Sequence, residues 1–449
     1  MTQLFHSVLL IEEKCRGCTR CIRNCPTEAI RVRGGKARIN VERCIDCGEC
    51  IRTCDNHAKT AVTDPLSKLE EFDYTIALPA PSLYAQFGKE TDRRKILASL
   101  IDMGFNDVFE VAYGADIATF LTLEYLKNPN CKFPAISAAC PAVVRLIQVR
   151  FPSLIDHLIP VESPMACAGK LAKEKTSERL GIPEDKIGTF FITPCPAKVT
   201  WVREANSRGT FFVDGAISMF DAYGEIMKRL LTIPPPYPQL KASPDGVGWG
   251  RTGGERIASK IKNSLVVDGI HNVINVLEEV EMGRLDDVEF LEAQACVGGC
   301  IGGALTVLNP FIGKMNLESV VDKSKDRSEP PEDFVKEFRL KERLDEFIMK
   351  LDIMAVPAFR LDQDVSRAII KAEMIEKVVN ELPGLDCGSC GSPHCRALAE
   401  DIVQGLAVDT DCILKLREEI EILAEQLLEM AKKSPSALKR DDNSGESGE

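Results

Sequence analysis

A chain of 449 residues with 45% hydrophobic and 28% charged side chains is long enough for one large core with smaller modules attached. Its net charge of −12 argues against nucleic acid as the main partner, since phosphate binding needs concentrated Lys and Arg; basic redox proteins stay open as partners. No apolar run approaches the roughly 18 to 20 residues of a membrane span, and MTQLFHSVLLIEEKCRGC has an acidic pair where a secretory leader would be cleaved. The expected location is the cytoplasm, away from any membrane. Thiols stay reduced there, so 18 cysteines do not read as a disulfide framework. The five histidines, His6, His57, His157, His271 and His394, are scattered, which leaves a nearly pure thiolate ligand set suited to iron–sulfur clusters or zinc.

From the N-terminus, CRGCTRCIRNCP (15–26) and CIDCGECIRTC (44–54) repeat the pattern C-x2-C-x2-C-x3-C, starting 29 residues apart. Three cysteines at this spacing wrap three corners of a cubane, and the fourth reaches the neighbouring cluster. By that crossing rule Cys15, Cys18, Cys21 and Cys54 hold one 4Fe-4S cluster, and Cys44, Cys47, Cys50 and Cys25 the other; zinc is the alternative. The second motif ends in Asp55 where the first has Pro26. Residues 1–64 thus form an electron-transfer module that resembles two-cluster bacterial ferredoxins, a small α+β domain.

Residues 65–375 hold six isolated cysteines: Cys131, Cys140, Cys167, Cys195, Cys296 and Cys300. Strand-like runs at DYTIALPA, DVFEVAY, FPAISAAC, GTFFITPC, LVVDGI and VEFLEAQAC alternate with helical stretches such as Lys89 to Met103 and Ile117 to Lys127, which predicts an α/β domain. Three runs end in cysteine, and the carboxyl ends of strands line the ligand crevice of open α/β sheets. Cys140, Cys195 and Cys296 are therefore expected to converge. Cys300 would join them from ACVGGCIGGA, whose Gly298, Gly299, Gly302 and Gly303 have no obvious use in an ordinary core. Four thiolates in one crevice can hold a cubane. A free cysteine also behaves as a small buried hydrophobe, and that reading is accepted for Cys131.

In 376–412, Cys387, Cys390, Cys395 and Cys412 form a C-x2-C-x4-C-x16-C array with glycines among the first three. It resembles the small four-cysteine iron–sulfur domain found beside corrinoid and membrane electron-transfer proteins of anaerobes; a zinc ribbon is the alternative, and His394 reads as a loop residue. Over 413–433, Ile413, Leu416, Ile420, Leu423, Leu427 and Met430 trace about two and a half heptads. This helix either packs on its own protein or pairs with a partner or a second copy. The polar tail 434–449 is expected to be disordered.

The segments SAACPAVVR, ITPCPAKVTWVRE and FLEAQACVGGCIGGA, in this order behind a ferredoxin module, resemble the three signatures of the FeFe (iron-only) hydrogenase catalytic domain, and the likeness covers about residues 1 to 310. It implies two lobes of parallel sheet with flanking helices and an H-cluster in the cleft between them. The H-cluster is a 4Fe-4S cluster on Cys140, Cys195, Cys296 and Cys300, bridged by Cys300 to a two-iron subsite carrying CO, cyanide and a dithiolate amine. The resemblance also implies that Lys198 donates to a cyanide ligand, that the backbone around Pro194 lines the pocket with Gly298 and Gly299, and that Ser163 lies near the dithiolate. Maturases that build the two-iron subsite follow from the resemblance as partners.

The chain also departs from the family. Fast hydrogenases carry a proton-passing cysteine where this chain has Ala139, which has no exchangeable proton. The family's acidic relay falls on Thr122 and Tyr125, with Glu124 displaced by one, and a relay serine on Ile159. Thr193, Trp201 and Gln294 replace a methionine, a glutamate and a methionine. These departures resemble the branch of the family assigned to hydrogen sensing. Glu292, Glu255 and Cys167 are the candidates for another proton path, Glu292 foremost because a carboxylate on an apolar strand needs a reason, a hydrogen bond to a loop amide being the plainer one. The expected function is slow interconversion of H2 with protons and electrons, in sensing, reported to a redox or signalling partner. A metabolic hydrogenase with an unusual proton path and a non-catalytic iron–sulfur protein of cluster assembly are the alternatives.

Overall fold

The computed structural model describes residues 5–207, 209, 212–325, 333–349 and 353–433; the expected disordered tail, 434–449, lies outside them. The chain divides into two compact units, one of residues 1–29 and 35–359, the other of residues 30–34 and 360–449.

In the first unit, the strand Val8–Leu10 pairs antiparallel with Lys59–Ala61. Between them lie both cysteine motifs, each with a one-turn helix, Arg20–Arg23 and Glu49–Arg52. Gly48 takes φ +75°, and a Cβ there would stand 2.5 Å from that of Ala304 and 3.3 Å from Pro196. Only glycine lets the second motif come this close to the loops of the larger domain.

That domain holds two parallel sheets. One runs Asp107–Val108, Tyr74–Pro79, Ile187–Thr193, Gly215–Ser218; the other runs Ser264–Asp268, Phe290–Gln294, Ala135–Ile136. The inner strands Ile187–Thr193 and Phe290–Gln294 are buried at every position, as parallel strands covered on both faces are. Ile76, Leu78, Phe190 and Phe191 centre one core, and Val143, Ile147, Leu277 and Leu291 another; Trp201 packs against both. The strand expected over DVFEVAY is only Asp107–Val108, because the helix Val111–Tyr125 begins within that run. Its residues are apolar on nearly every side, so the helical period is masked. The strand Gly215–Ser218, preceded by Asp214, was not legible as a strand.

The second unit packs the helices Val365–Glu381 and Cys395–Val403 around Ile375, Leu382 and Leu398. The 30–34 segment belongs to it: Val32 N–H donates to the Gly391 carbonyl (2.8 Å), and a Cβ on Gly391 would lie 2.1 Å from the Val32 oxygen. The helix Ile413–Lys432 has no buried residue. Its heptad positions stay open, from Leu416 at 42% to Met430 at 67% exposure, and among the described residues of its unit only its first turn packs on the core, through Leu414. No described helix is long and apolar enough to cross a membrane.

Candidate metal centre

Cys140 caps the helix Pro141–Arg150, and Cys195 sits between the strand Ile187–Thr193 and the helix Pro196–Ser207. Cys296 follows the strand Phe290–Gln294, and Cys300 opens a single turn, Cys300–Gly302. All four line one cavity at the sheet ends, together with Ser137, Ala139, Lys198, Trp249, Glu255, Gln294 and Gly299. Cys195 is aimed by Thr193, whose hydroxyl donates to the Cys195 carbonyl (3.0 Å) and accepts from its N–H (3.2 Å).

The glycines shape the rim. Gly299, at φ +81°, leaves no room for a Cβ, which would stand 2.3 Å from Gln294 Oε1. Gly298 N–H donates to Asp268 (2.7 Å), and the Pro194 carbonyl, which accepts from Leu305 N–H at 3.0 Å, would be struck by a Cβ on Gly303. Close turns of this kind need residues without side chains.

Burial pushes the Cys195 thiol up to about 12 and Cys296 to about 11, and raises Cys140 as well. Four sulfurs held charged here need cations. Lys198 Nζ lies 3.4 Å from Cys300 Sγ; burial works against its charge, but Cys300, Cys195 and Cys140 hold its pKa above the lysine norm. Arg52 Nη1 lies 3.4 Å from Cys296 Sγ.

The same convergence occurs elsewhere. In the first unit the sulfurs acting on Cys21 are those of Cys18, Cys15 and Cys54, and Cys25 and Cys50 act on Cys47. In the second unit Cys390, Cys395 and Cys412 pack on one small core, with Arg33 donating to the Cys390 carbonyl (3.1 Å) and to Ser392 Oγ (3.0 Å). Arg31 and Arg33 both pair with Asp401 at 2.7 Å. His394 caps its helix by accepting from Ala397 N–H.

Among the described residues, none of the four cysteine sets brings three sulfurs within 4.8 Å of one another. Sulfurs on one zinc ion, at Zn–S of about 2.3 Å, would be about 3.8 Å apart. The donor sets therefore fit something wider than a single ion, as a cubane is. At Cys300 the fit extends further: Lys198 supplies a donor, and the buried Gln294 Oε1 is an acceptor with no partner among the described residues.

Ala139 lines the cavity and offers a methyl group. Beside it, Ser137 Oγ accepts from Ala139 N–H (3.4 Å) and donates to Glu255 Oε2 (2.6 Å). Glu255 and Glu292 are both buried, and burial raises both above the carboxylate range, the charge of Glu292 adding to the effect on Glu255. Glu292 accepts from the N–H groups of Gly253 and Arg256 at 2.9 Å and from Gln294 Nε2 at 3.1 Å. It thus makes the loop-amide bonds and lies one step behind Glu255, which faces the cavity.

Ser163 and Cys167 are elsewhere. Ser163 caps the helix Pro164–Leu180 through Ala166 N–H, Cys167 is packed in the core with its thiol toward the Glu162 carbonyl, and neither lines this cavity. Glu124 pairs with Lys127 at the end of its helix. The sequence reading missed Ser137, which opens SAACPAVVR, and Trp249, whose indole donates to Thr119 (3.1 Å), because their partners come from distant segments. It also missed Arg52 and Lys59 inside and beside the second motif.

The crevice and the flanking thiol sets define an iron–sulfur redox protein whose principal centre lies between two parallel sheets. Residues 73–254 and 250–304 match the model of the iron only hydrogenase large subunit, C-terminal domain, and the chain belongs to this family. Residues 7–55 match a 4Fe-4S dicluster domain and 382–414 an Fe–S cluster segment. The chain is 31% identical over 212 residues to the periplasmic [Fe] hydrogenase large subunit of Nitratidesulfovibrio vulgaris, covering 43% of this chain and 50% of that one. It is 23% identical over 305 residues to iron hydrogenase 1 of Clostridium pasteurianum, covering 55% and 52%. A cytosolic Fe-S cluster assembly factor of Aspergillus terreus is 37% identical over 70 residues, 15% and 12% of the two chains. The chain thus spans about half the length, or less, of these relatives. In fold, a variant of the FeFe-hydrogenase of Chlamydomonas reinhardtii superposes with a TM-score of 0.51 at 14% identity, covering 65% of this chain and 98% of that one.

Proposed function

We propose that this chain binds H2 and interconverts it slowly with protons and electrons, in sensing rather than in bulk metabolism. The observation that carries this reading is Ala139: the cavity keeps its four cysteines and Lys198 while a methyl group stands where the first signature of fast hydrogenases has a second cysteine. When bound, the H-cluster supplies the metal chemistry that splits or forms H2. The chain's own residues hold and orient it. Cys140, Cys195, Cys296 and Cys300 are the ligands, Lys198 places a donor beside Cys300, and Gln294 offers an acceptor.

Protons leave by another side. Ser137 can pass one to Glu255 across 2.6 Å, and Glu292 shares the charge behind it. Such a path supports turnover, which also keeps the metabolic reading in play. Losing a positioned acid or base costs roughly 10²- to 10⁴-fold in rate, which slows turnover without preventing hydrogen from binding. Electrons pass through the ferredoxin clusters, and the 376–412 cluster offers a second outlet toward a redox or signalling protein.

The test is turnover of the fully matured chain. Slow H2 evolution that rises severalfold or more in Ala139→Cys supports the reading. Fast wild-type turnover that Ala139→Cys leaves unchanged contradicts it, and favours a metabolic enzyme. The helix Ile413–Lys432 we assign to pairing with a second copy of the chain.

A further inference from the structure

Two cations lie where electrons would cross between sulfur sites. The first is Arg52, on the turn Glu49–Arg52 between Cys50 and Cys54. Its Nη1 points at Cys296 Sγ (3.4 Å) and the Gly302 carbonyl (3.4 Å), and its Nη2 at the Cys47 carbonyl (3.5 Å). One guanidinium thus touches a ligand of the principal centre and the backbone of a ligand of the second ferredoxin cluster. Glu49 Oε2, at 2.7 Å, takes up only one side of the planar fork.

The second is Lys59, on the strand Lys59–Ala61. The residue is 4% exposed, and its buried ammonium has no hydrogen-bond partner among the described residues, a costly state for a lone buried charge. Its strand packs on the turn Glu49–Arg52, which carries Cys50, and the N–H of the neighbouring Ala58 donates to Cys54 Sγ (3.3 Å), so Lys59 lies beside members of both ferredoxin cysteine sets. What would balance this charge is the negative charge of the two clusters.

We propose that Lys59 and Arg52 bridge the two junctions of the electron path, each holding a neighbouring cluster at a higher reduction potential than its sulfur ligands alone would set. Adding an electron to a cubane adds negative charge, and a fixed cation within reach of the ligand sulfurs stabilises the reduced form; hydrogen bonds to those sulfurs act in the same direction. Lys59 joins the two ferredoxin clusters, and Arg52 joins the second of them to the cubane at Cys296. Both are positioning residues: they accept no electron themselves. This inference rests on the reading that the converged cysteines carry cubanes.

The experiment is a redox titration followed by electron paramagnetic resonance, on the full-length chain with its iron–sulfur clusters assembled. The wave of the principal cubane is assigned by its loss in Cys195→Ser, since Arg52 does not touch Cys195. In Arg52→Gln this wave is expected to move down by about tenfold in the reduced-to-oxidised ratio at fixed poise, about 59 mV for one electron. Arg52→Lys restores most of the shift. Glu49→Gln moves the wave up, whereas an arginine that only held its turn through Glu49 would make Glu49→Gln and Arg52→Gln move it the same way. Lys59→Met, which keeps the length and drops the charge, lowers both ferredoxin waves. Waves unmoved in Arg52→Gln and Lys59→Met, with all clusters assembled, overturn the inference alone. A wild-type chain that assembles no cubane at Cys140, Cys195, Cys296 and Cys300 overturns the inference and the functional reading together.

Discussion

Ala139 and Ser137 stand two residues apart and bear on different parts of the proposal. The methyl group of Ala139 has no proton to pass, while Ser137 donates to Glu255 at 2.6 Å, the route proposed above. Glu255 is buried and carries a raised pKa, from desolvation first and Glu292 second. A carboxyl raised in the folded state binds its proton more tightly there than in the unfolded chain. It therefore adds stability at acidic pH, and this is lost as pH rises through the folded value. Accordingly, Glu255→Gln should flatten the fall in melting temperature between acidic and alkaline buffer; an identical fall in both proteins would show that Glu255 is not protonated in the fold. The same variant should lower turnover by about 10²-fold or more if Ser137 and Glu255 carry the proton. Unchanged hydrogen evolution would remove them from the path.

Among elements, the turns around the cysteines depend most on single residues. Gly48→Ala sets a methyl group against Ala304 at 2.5 Å while forcing a side chain into φ +75°, and overpacking plus backbone strain should cost about 1–3 kcal/mol. Denaturant unfolding should show this loss, and a neutral result would mean that the second motif does not press on the larger domain. The helix Ile413–Lys432 makes a different prediction. Ile413 and Ile420 at one seam position with Leu416 and Leu423 at the other is the combination that favours two parallel strands, and Glu419 would face Ala424 across such a pair, with no like charges opposed. Light scattering should find a dimer that Leu416→Lys with Leu423→Lys reduces to a monomer without loss of clusters. A monomeric wild type would contradict the pairing.

Across the whole molecule, what was legible in the sequence is what repeats or clusters along the chain. The two ferredoxin motifs announce themselves by spacing, and the strands ending near Cys195 and Cys296 by β-branched and apolar runs that stop at the ligand. Hidden were the features that depend on distant segments meeting. Glu292 and Glu255 are both candidates from the sequence, Glu292 foremost as a carboxylate on an apolar strand, but the sequence could not show that Glu255 is the one that faces the cavity. Residues 30–34 lie inside the ferredoxin repeat but belong with the C-terminal unit, through Arg31 and Arg33 on Asp401, a pairing that no local period could signal. Ser163, expected near the dithiolate by family likeness, caps a helix, and Cys167, a candidate for another proton path, fills a core.

The central claim is that the crevice between the two sheets carries a two-iron subsite bridged through Cys300 to a cubane. Infrared spectroscopy of the chain matured in an anaerobic host with hydrogenase maturases tests it most directly, since metal-bound CO and cyanide absorb where protein does not. The account predicts bands of both ligands, shifting under H2 and lost in Cys300→Ala. Iron–sulfur signals with no such band, in a chain exposed to active maturases, would contradict it and leave an electron carrier.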